Sequence, residues 1–207
     1  MRPDPASEEY DRLAPIYDRR WRRYIDSTLR AVADVTAFAG DERVLDVACG
    51  TGELARSLLS RWPGLRITGV DLSAGMLAEA QAKDIGRRVD WVRANADSLP
   101  LPDAAFDHVT CANSFHYFAR PDLALAEMRR VLRPSGRLIL VDWCDDYLAC
   151  KICSVWLRFR DPAFKRTYSL RACEDRLRSA GFRIVDAHRF RVGWIWGLMR
   201  LAAERES

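Results

Sequence analysis

The sequence predicts an α/β fold, a largely parallel sheet with helices packed on it, and three observations predict it. Short apolar runs of strand length alternate with stretches whose apolar residues recur at helix spacing. Turn signals fall between them, among them Gly50-Thr51-Gly52, Trp62-Pro63-Gly64 and Pro134-Ser135-Gly136. The first run, Val44, Leu45 and Val47, encloses one carboxylate, Asp46, as a buried parallel strand carrying a functional acid would.

Length and composition fit one domain spanning 1–207. The chain has 207 residues, 49% hydrophobic and 30% charged, enough for a sizeable core and a solvated surface. Net charge is +4, and of 33 basic residues only Lys83, Lys151 and Lys165 are lysines. No block of consecutive basic residues occurs, so the arginine bias reads as genome composition and no nucleic-acid partner is expected. The N-terminus MRPDPASEEYDRL lacks an apolar signal core, and the apolar run Val192 to Met199 is too short to span a bilayer. A cytoplasmic chain without a membrane span is expected, and its six cysteines read as reduced thiols. Cys150-x-x-Cys153, with Cys144 nearby, lacks the second pair or the histidines of a zinc site. It reads as two small apolar residues on one helix face, and no metal is expected.

The chemistry is expected at the first turn. Leu54, Leu58 and Leu59 follow the glycines at helix spacing, so Gly50-Thr51-Gly52 makes a strand-to-helix turn where backbone comes close to a ligand. Gly50-x-Gly52-x-x-Ala55 also fits the dinucleotide fingerprint, and Asp71, 21 residues after Gly50, falls where a ribose-binding acid is expected. Spacing alone does not choose the ligand. Asp46 helps to choose it, because a carboxylate beside the turn would repel a pyrophosphate. S-adenosylmethionine has no phosphate, and it offers an ammonium for a carboxylate, a carboxylate for helix N-terminal amides and a ribose diol for Asp71.

Four segments, VLDVACGTGELA (44 to 55), TGVDLSAGML (68 to 77), RANADSLPLPDAAFDHV (93 to 109) and EMRRVLRPSGRLILVDW (127 to 143), stand in an order and at distances that are highly specific. Together they resemble the class I S-adenosylmethionine-dependent methyltransferases, and within them the small-molecule type 11 group. The resemblance covers nearly the whole chain. It implies a Rossmann-like, mixed seven-stranded sheet with helices on both faces and an antiparallel strand seven beside strand five. It implies S-adenosylmethionine as cofactor and S-adenosylhomocysteine as product. Asp46, Ala48, Gly50 and Gly52 would hold the cofactor at the first turn, Asp71 and Leu72 after strand two, Met76 on the adenine edge, Asn95 and Ala96 after strand three, and Asn113 after strand four. Relatives have an acid where this chain has Asn95, so the contact to the adenine amino group is expected to be weaker.

The elements follow in order. Tyr17, Trp21, Tyr24, Ile25, Leu29, Val32 and Phe38 recur at helix intervals after a break at Pro15 and predict one or two helices within 1–40. By resemblance this segment is a lid, and "LAPIYD" (13 to 18) brings Tyr17 over the methionine end; the plain alternative is that Tyr17 anchors the helix to the core. Strand one and its turn lead to a helix stopping near Trp62. Strand two is Arg66 to Val70, and Ser73 caps a helix presenting Met76, Leu77 and Ala80, Met76 serving either adenine or the core. Strand three is Val89 to Ala94 and strand four Phe106 to Ala112. Pro121 opens a helix with Leu125, Met128 and Leu132 inward, which Pro134-Ser135-Gly136 closes, and strand five is Arg137 to Val141. Residues 143–168 depart from βα alternation and are expected to form a substrate cap holding Trp143, Tyr147, Trp156 and Phe159. Ser169 caps a helix with Leu170, Cys173 and Leu177 on one face that ends at Gly181. Strand six is Arg183 to Val185 and strand seven Phe190 to Met199.

Methyl transfer from a sulfonium is an in-line displacement, so rate comes largely from holding the acceptor in line. The segment Asn113 to Tyr117 after strand four lacks the Asn-Pro-Pro-aromatic and Pro-Cys motifs of nucleobase methylation. His116 is the catalytic candidate there, a general base toward an oxygen or carbon acceptor, against the plainer reading that it shapes the pocket wall. His108, in strand four, and His188, near strand seven, read as structural. Tyr117, Trp143, Tyr147 and Trp156 are expected to line a partly apolar acceptor site for a small molecule. Two other functions compete: a non-catalytic S-adenosylmethionine-binding protein, and an NAD-dependent oxidoreductase, for which no catalytic Tyr/Lys or His system is found. Similarity to quinone-pathway C-methyltransferases points to one acceptor class, although O-, N- and C-methylating relatives share these motifs.

Overall fold

The computed structural model describes residues 5–36, 38–83, 88–161, 164–193 and 196–206. Two helices, α1 (Pro5–Leu13) and α2 (Tyr17–Ala33), precede the sheet, separated by a short 3-10 turn containing Pro15. Proline lacks the amide that would continue α1 and breaks the helix there. The alternation then runs β1 (Arg43–Val47), α3 (Glu53–Arg61), β2 (Arg66–Asp71), α4 (Ala74–Ala82), β3 (Val89–Arg93), β4 (Phe106–Ala112), α5 (Pro121–Val131), β5 (Leu132–Trp143), α6 (Leu148–Arg160), α7 (Leu170–Ser179), β6 (Phe182–Val192) and β7 (Trp196–Arg205).

The seven strands form one sheet in the order β3-β2-β1-β4-β5-β7-β6, with β7 antiparallel to both β5 and β6. The pairs among β1 to β5 are parallel. Their C-terminal ends therefore share one edge, where the chain order reverses between β1 and β4, the place where open α/β sheets bind ligands.

Period-two alternation divides the core between the faces. Leu45, Val47, Val109, Leu138 and Leu140 pack with α5 and α7, while Val44, Ile67, Ile139 and Val141 pack with α2 and α3. Local signals behave as expected: the Ser73 hydroxyl accepts from the Met76 amide at 3.0 Å, and Ser169 from the Ala172 amide at 3.2 Å. Beside Gly69, which pairs with Trp91, the indole lies where a Cβ would stand 2.5 Å away.

Three strand boundaries differ from the sequence reading. Strand five begins at Leu132, and Pro134-Ser135-Gly136 lies in a register shift against β4 between Leu132 and Arg137. Strand six runs on to Val192 and takes Phe190 with it. Strand seven accordingly starts at Trp196, beyond a turn at Gly193, whose φ of +63° suits glycine. His188 lies in β6, paired with Arg200 of β7. Among the described residues, no helix is long and apolar enough to cross a membrane, and no group of His, Cys, Asp or Glu could hold a metal ion.

Candidate active site

A cavity opens at the C-terminal edge of the parallel strands, roofed by α1 and α2, and the first turn forms its floor. Asp46 lines it from the end of β1. The carboxylate is buried, one oxygen accepting from the Thr110 hydroxyl at 2.8 Å and the other without a hydrogen-bond partner. Thr110 stands beside Asp46 in the β4 register, so the sheet itself orients the acid. Burial away from water, reinforced by the charge of Asp71 and opposed by the Thr110 hydroxyl, pushes the Asp46 carboxyl up to about 7. Ala48 follows in a left-handed conformation, φ +57°, which a residue with a Cβ adopts only under strain.

Gly50 and Gly52 have different tasks. Gly50, φ +54°, faces open space on the cavity side and donates its amide to Asp71 Oδ2 at 2.8 Å. Gly52 does not line the cavity. It caps α3 at φ +76°, and a Cβ there would stand 2.6 Å from the Trp91 ring and 3.1 Å from Ala80, so it permits close helix-to-strand packing. Gly52, expected to hold the cofactor, thus stands behind the cavity lining and shapes the turn that carries Gly50.

Asp71, at the end of β2, accepts from the Gly50 amide and, through its other oxygen, from the Ser73 amide at 2.9 Å. Burial raises its carboxyl above the usual range, while these amides act in the opposite direction. Leu72 and the buried Met76 line the same wall, next to Asn95 and Ala96. Asn95 is exposed, its side-chain oxygen 3.4 Å from the Asp97 amide. The buried acceptor at this corner is Asp97, whose Oδ2 accepts from Arg120 Nε at 2.8 Å while Oδ1 has no partner. Sequence reasoning missed Asp97, two residues past the position where an acid was sought.

The helical roof is latched to the floor. The Thr51 hydroxyl donates to Asp18 Oδ1 at 2.5 Å, and Lys83 bridges Asp18, the Thr51 carbonyl and Glu53. Asp11 of α1 accepts from the Ser73 hydroxyl at 2.5 Å and from the Gly75 amide at 2.8 Å, seating α1 on the start of α4. Tyr17 lines the cavity, and burial pushes its phenol well above the ordinary value. Tyr10, which the sequence reading did not single out, stands edge-on to both Tyr17 and Tyr117. Its seven-residue spacing from Tyr17 was a signal, masked by the break at Pro15.

Asn113 also lines the cavity, in a left-handed conformation (φ +60°), with its side-chain oxygen accepting from Thr28 at 3.2 Å. Tyr117 lines it too, and its hydroxyl donates to Asp161 at 3.2 Å. His116 does not. Its ring is buried, donates from Nδ1 to Asp142 Oδ1 at 2.5 Å, and packs between Tyr117 and Trp143. Asp142 Oδ2 takes the His116 amide at 2.8 Å as well. The His116–Asp142 pair therefore stands behind the wall and packs on Tyr117, a placement that accords with the plainer of the two readings of His116, a residue that shapes the wall.

Of the segment 143–168, expected to form a cap, Lys165 lines the cavity, whereas the four aromatic residues named for it stand elsewhere. Trp143 donates from its indole to the Tyr24 hydroxyl at 2.6 Å and packs on Trp196, behind the cavity. Tyr147 lies against Gly197 of β7, under Arg191. Trp156, 58% exposed, and Phe159 project from the outer face of α6. None of the four lines the cavity. Helix periodicity gave the spacing of Trp156 and Phe159, but not which face of α6 turns inward; the inward residues are Cys150 and Ser154.

Comparison with known proteins finds methyltransferases among the relatives of the chain. The methyltransferase-domain family matches residues 45–140. Demethylmenaquinone methyltransferase of Thermus thermophilus is 44% identical over 128 residues, 61% of this chain and 55% of that protein. The ubiquinone/menaquinone biosynthesis C-methyltransferase UbiE of Desulfotalea psychrophila is 34% identical over 146 residues, 67% of this chain and 55% of that protein. The chain thus spans little more than half the length of these curated relatives. The crystal structure of the [4+2]-cyclase SpnF superposes with a TM-score of 0.81 at 22% identity, covering 97% of this chain and 95% of that one. That likeness concerns the fold alone. Residues 45–140 are thus identified with the methyltransferase-domain family, the type 11 group of the class I S-adenosylmethionine-dependent methyltransferases.

Proposed function

We propose that the chain methylates a small, largely apolar organic acceptor at carbon or oxygen, using S-adenosylmethionine. The observation that carries the reading is Asp46: a buried carboxylate on the cavity floor with one oxygen lacking a partner, suited to an ammonium and hostile to a pyrophosphate. When bound, the cofactor supplies an electrophilic methyl group on a sulfonium. The residues of this chain bind and orient. Asp71 receives the ribose diol, Asp97 Oδ1 with Asn95 the adenine amino group, and Tyr10 and Tyr17 close the cavity as part of a lid formed by the N-terminal helices. Tyr117, held by His116 and Asp142, forms the acceptor side with Phe118. Excluding water and fixing the line of approach are then the main contributions to rate. The names of the menaquinone-pathway relatives favour an electron-rich aromatic ring carbon as the acceptor.

Calorimetry with S-adenosylhomocysteine and with NAD, followed by transfer of labelled methyl to a panel of hydroquinones and phenols, tests the proposal. Binding of S-adenosylhomocysteine but not NAD, with label on one acceptor class, is the expected result. Preferential NAD binding, or tight S-adenosylhomocysteine binding with no label on any acceptor, would overturn it.

Asp46 gives this reading a pH signature. An acid raised in the folded chain stabilises it fully below the unfolded value of about 4, and that contribution is lost as pH rises through about 7. The ammonium of the ligand favours the ionised form, so binding and ionisation are linked. Affinity for S-adenosylhomocysteine should fall about tenfold from pH 8 to pH 6, and Asp46→Asn should flatten that dependence. Titration calorimetry across the range reads both; an equal slope in the variant would remove Asp46 from the ammonium site.

A further inference from the structure

The face of α6 that carries Trp156 and Phe159 has no covering element among the described residues. Leu148, Ile152, Val155, Trp156 and Phe159 recur at i, i+4, i+7, i+8 and i+11, one continuous stripe of the helix. All five are exposed, Leu148 by 73% and Phe159 by 86%. The opposite face is pinned to the sheet, where Cys150 Sγ accepts from the Gly197 amide at 3.2 Å and Ser154 is buried. The stripe therefore cannot turn inward without tearing α6 from β7. An apolar patch of this extent on a helix exterior marks an interaction surface.

We infer that α6 docks the protein on an anionic lipid surface. The charges choose the partner. Lys151 and Arg158 flank the stripe on one side and Arg160 on the other, all exposed, and α6 contains no acidic residue. Long basic side chains can lay their stems along the apolar face and reach headgroup phosphates, while tryptophan and phenylalanine enter the headgroup boundary. A second copy of the chain fits worse, because pairing two identical faces across a two-fold axis would bring like charges together. Docking would also set the cavity close to the lipid. The chain leaves α6 through Asp161, the acceptor for the Tyr117 hydroxyl, and reaches Lys165, which lines the cavity. The surface assignment rests on α6 alone and does not depend on methyl transfer.

Co-sedimentation of the full chain with phosphatidylcholine vesicles, with and without phosphatidylglycerol, tests it. The wild-type chain should pellet with the phosphatidylglycerol vesicles, release as salt rises, and bind pure phosphatidylcholine much less. Trp156→Ser with Phe159→Ser should reduce vesicle binding at least about tenfold, and Lys151→Glu with Arg158→Glu should remove the preference for phosphatidylglycerol. These side chains are exposed, and unchanged thermal unfolding of the variants checks that the fold is intact. A wild-type chain that stays in the supernatant, a Trp156/Phe159 variant that binds as well as wild type, or a dimer that the same variant dissolves would each overturn the inference.

Discussion

Replacing Asp71 with alanine should weaken S-adenosylhomocysteine binding at least tenfold. Each Asp71 oxygen already accepts one backbone amide, from Gly50 and from Ser73, and keeps lone pairs for a ribose diol. The substitution removes both tasks: two amides lose the acceptor that shapes the turn, and the diol loses a charged partner. A hydrogen bond to a charged group contributes about 1.5 to 3 kcal/mol, and tenfold corresponds to about 1.4 kcal/mol. Asp71→Asn keeps one carbonyl acceptor and should fall between the two. Titration calorimetry decides, with circular dichroism to check the fold; unchanged affinity would put the ribose elsewhere.

Asp142→Ala should be the most destabilising single change near the cavity, at about 3 kcal/mol or more. Asp142 is buried, and its carboxylate accepts from the His116 amide, from His116 Nδ1 and from the Trp143 amide at 2.7 Å. Alanine would strand these donors out of water, each at about 1 to 3 kcal/mol before relaxation. Urea unfolding reads the loss. Because the pair holds Tyr117, turnover should fall further than S-adenosylhomocysteine affinity in whatever fraction stays folded. A variant with wild-type stability would mean that water or a shifted side chain replaces the carboxylate at little cost.

The parallel half of the fold was legible because its strands are short apolar runs closed by glycine and proline, and its helices carry their caps, Ser73 and Ser169, in plain sight. The antiparallel hairpin was not. β7 ends in Leu-Ala-Ala-Glu-Arg, residues that favour helix, and becomes a strand because β5 and β6 flank it and bury it, so tertiary context overrides propensity. Aromatic residues around Gly193 drew the strand six residues early. At the site, strand-to-turn geometry brings together residues named from the sequence: Asp46, Ala48, Gly50, Asp71, Leu72, Met76, Asn113 and Tyr117 all line the cavity. What sequence could not give was facing. His116 follows the right strand but turns toward Asp142, and Trp156 has the right periodicity but the wrong side, since both depend on neighbours far away in sequence.

The Trp91 ring has a consequence for the history open to this domain. It occupies the space above Gly69 and beside Gly52, where added methyl groups would stand 2.5 and 2.6 Å from it. No lineage retaining that indole can readily accept a side chain at either glycine, so two apparently separate constraints share one cause. Should Trp91 first give way to a smaller residue, position 69 is left with one tight neighbour, the Cys49 sulfur 3.0 Å from an added Cβ, whereas position 52 stays restricted by its φ of +76°. The order of changes then matters: the same pair of substitutions passes through a tolerated intermediate one way and a clashing one the other.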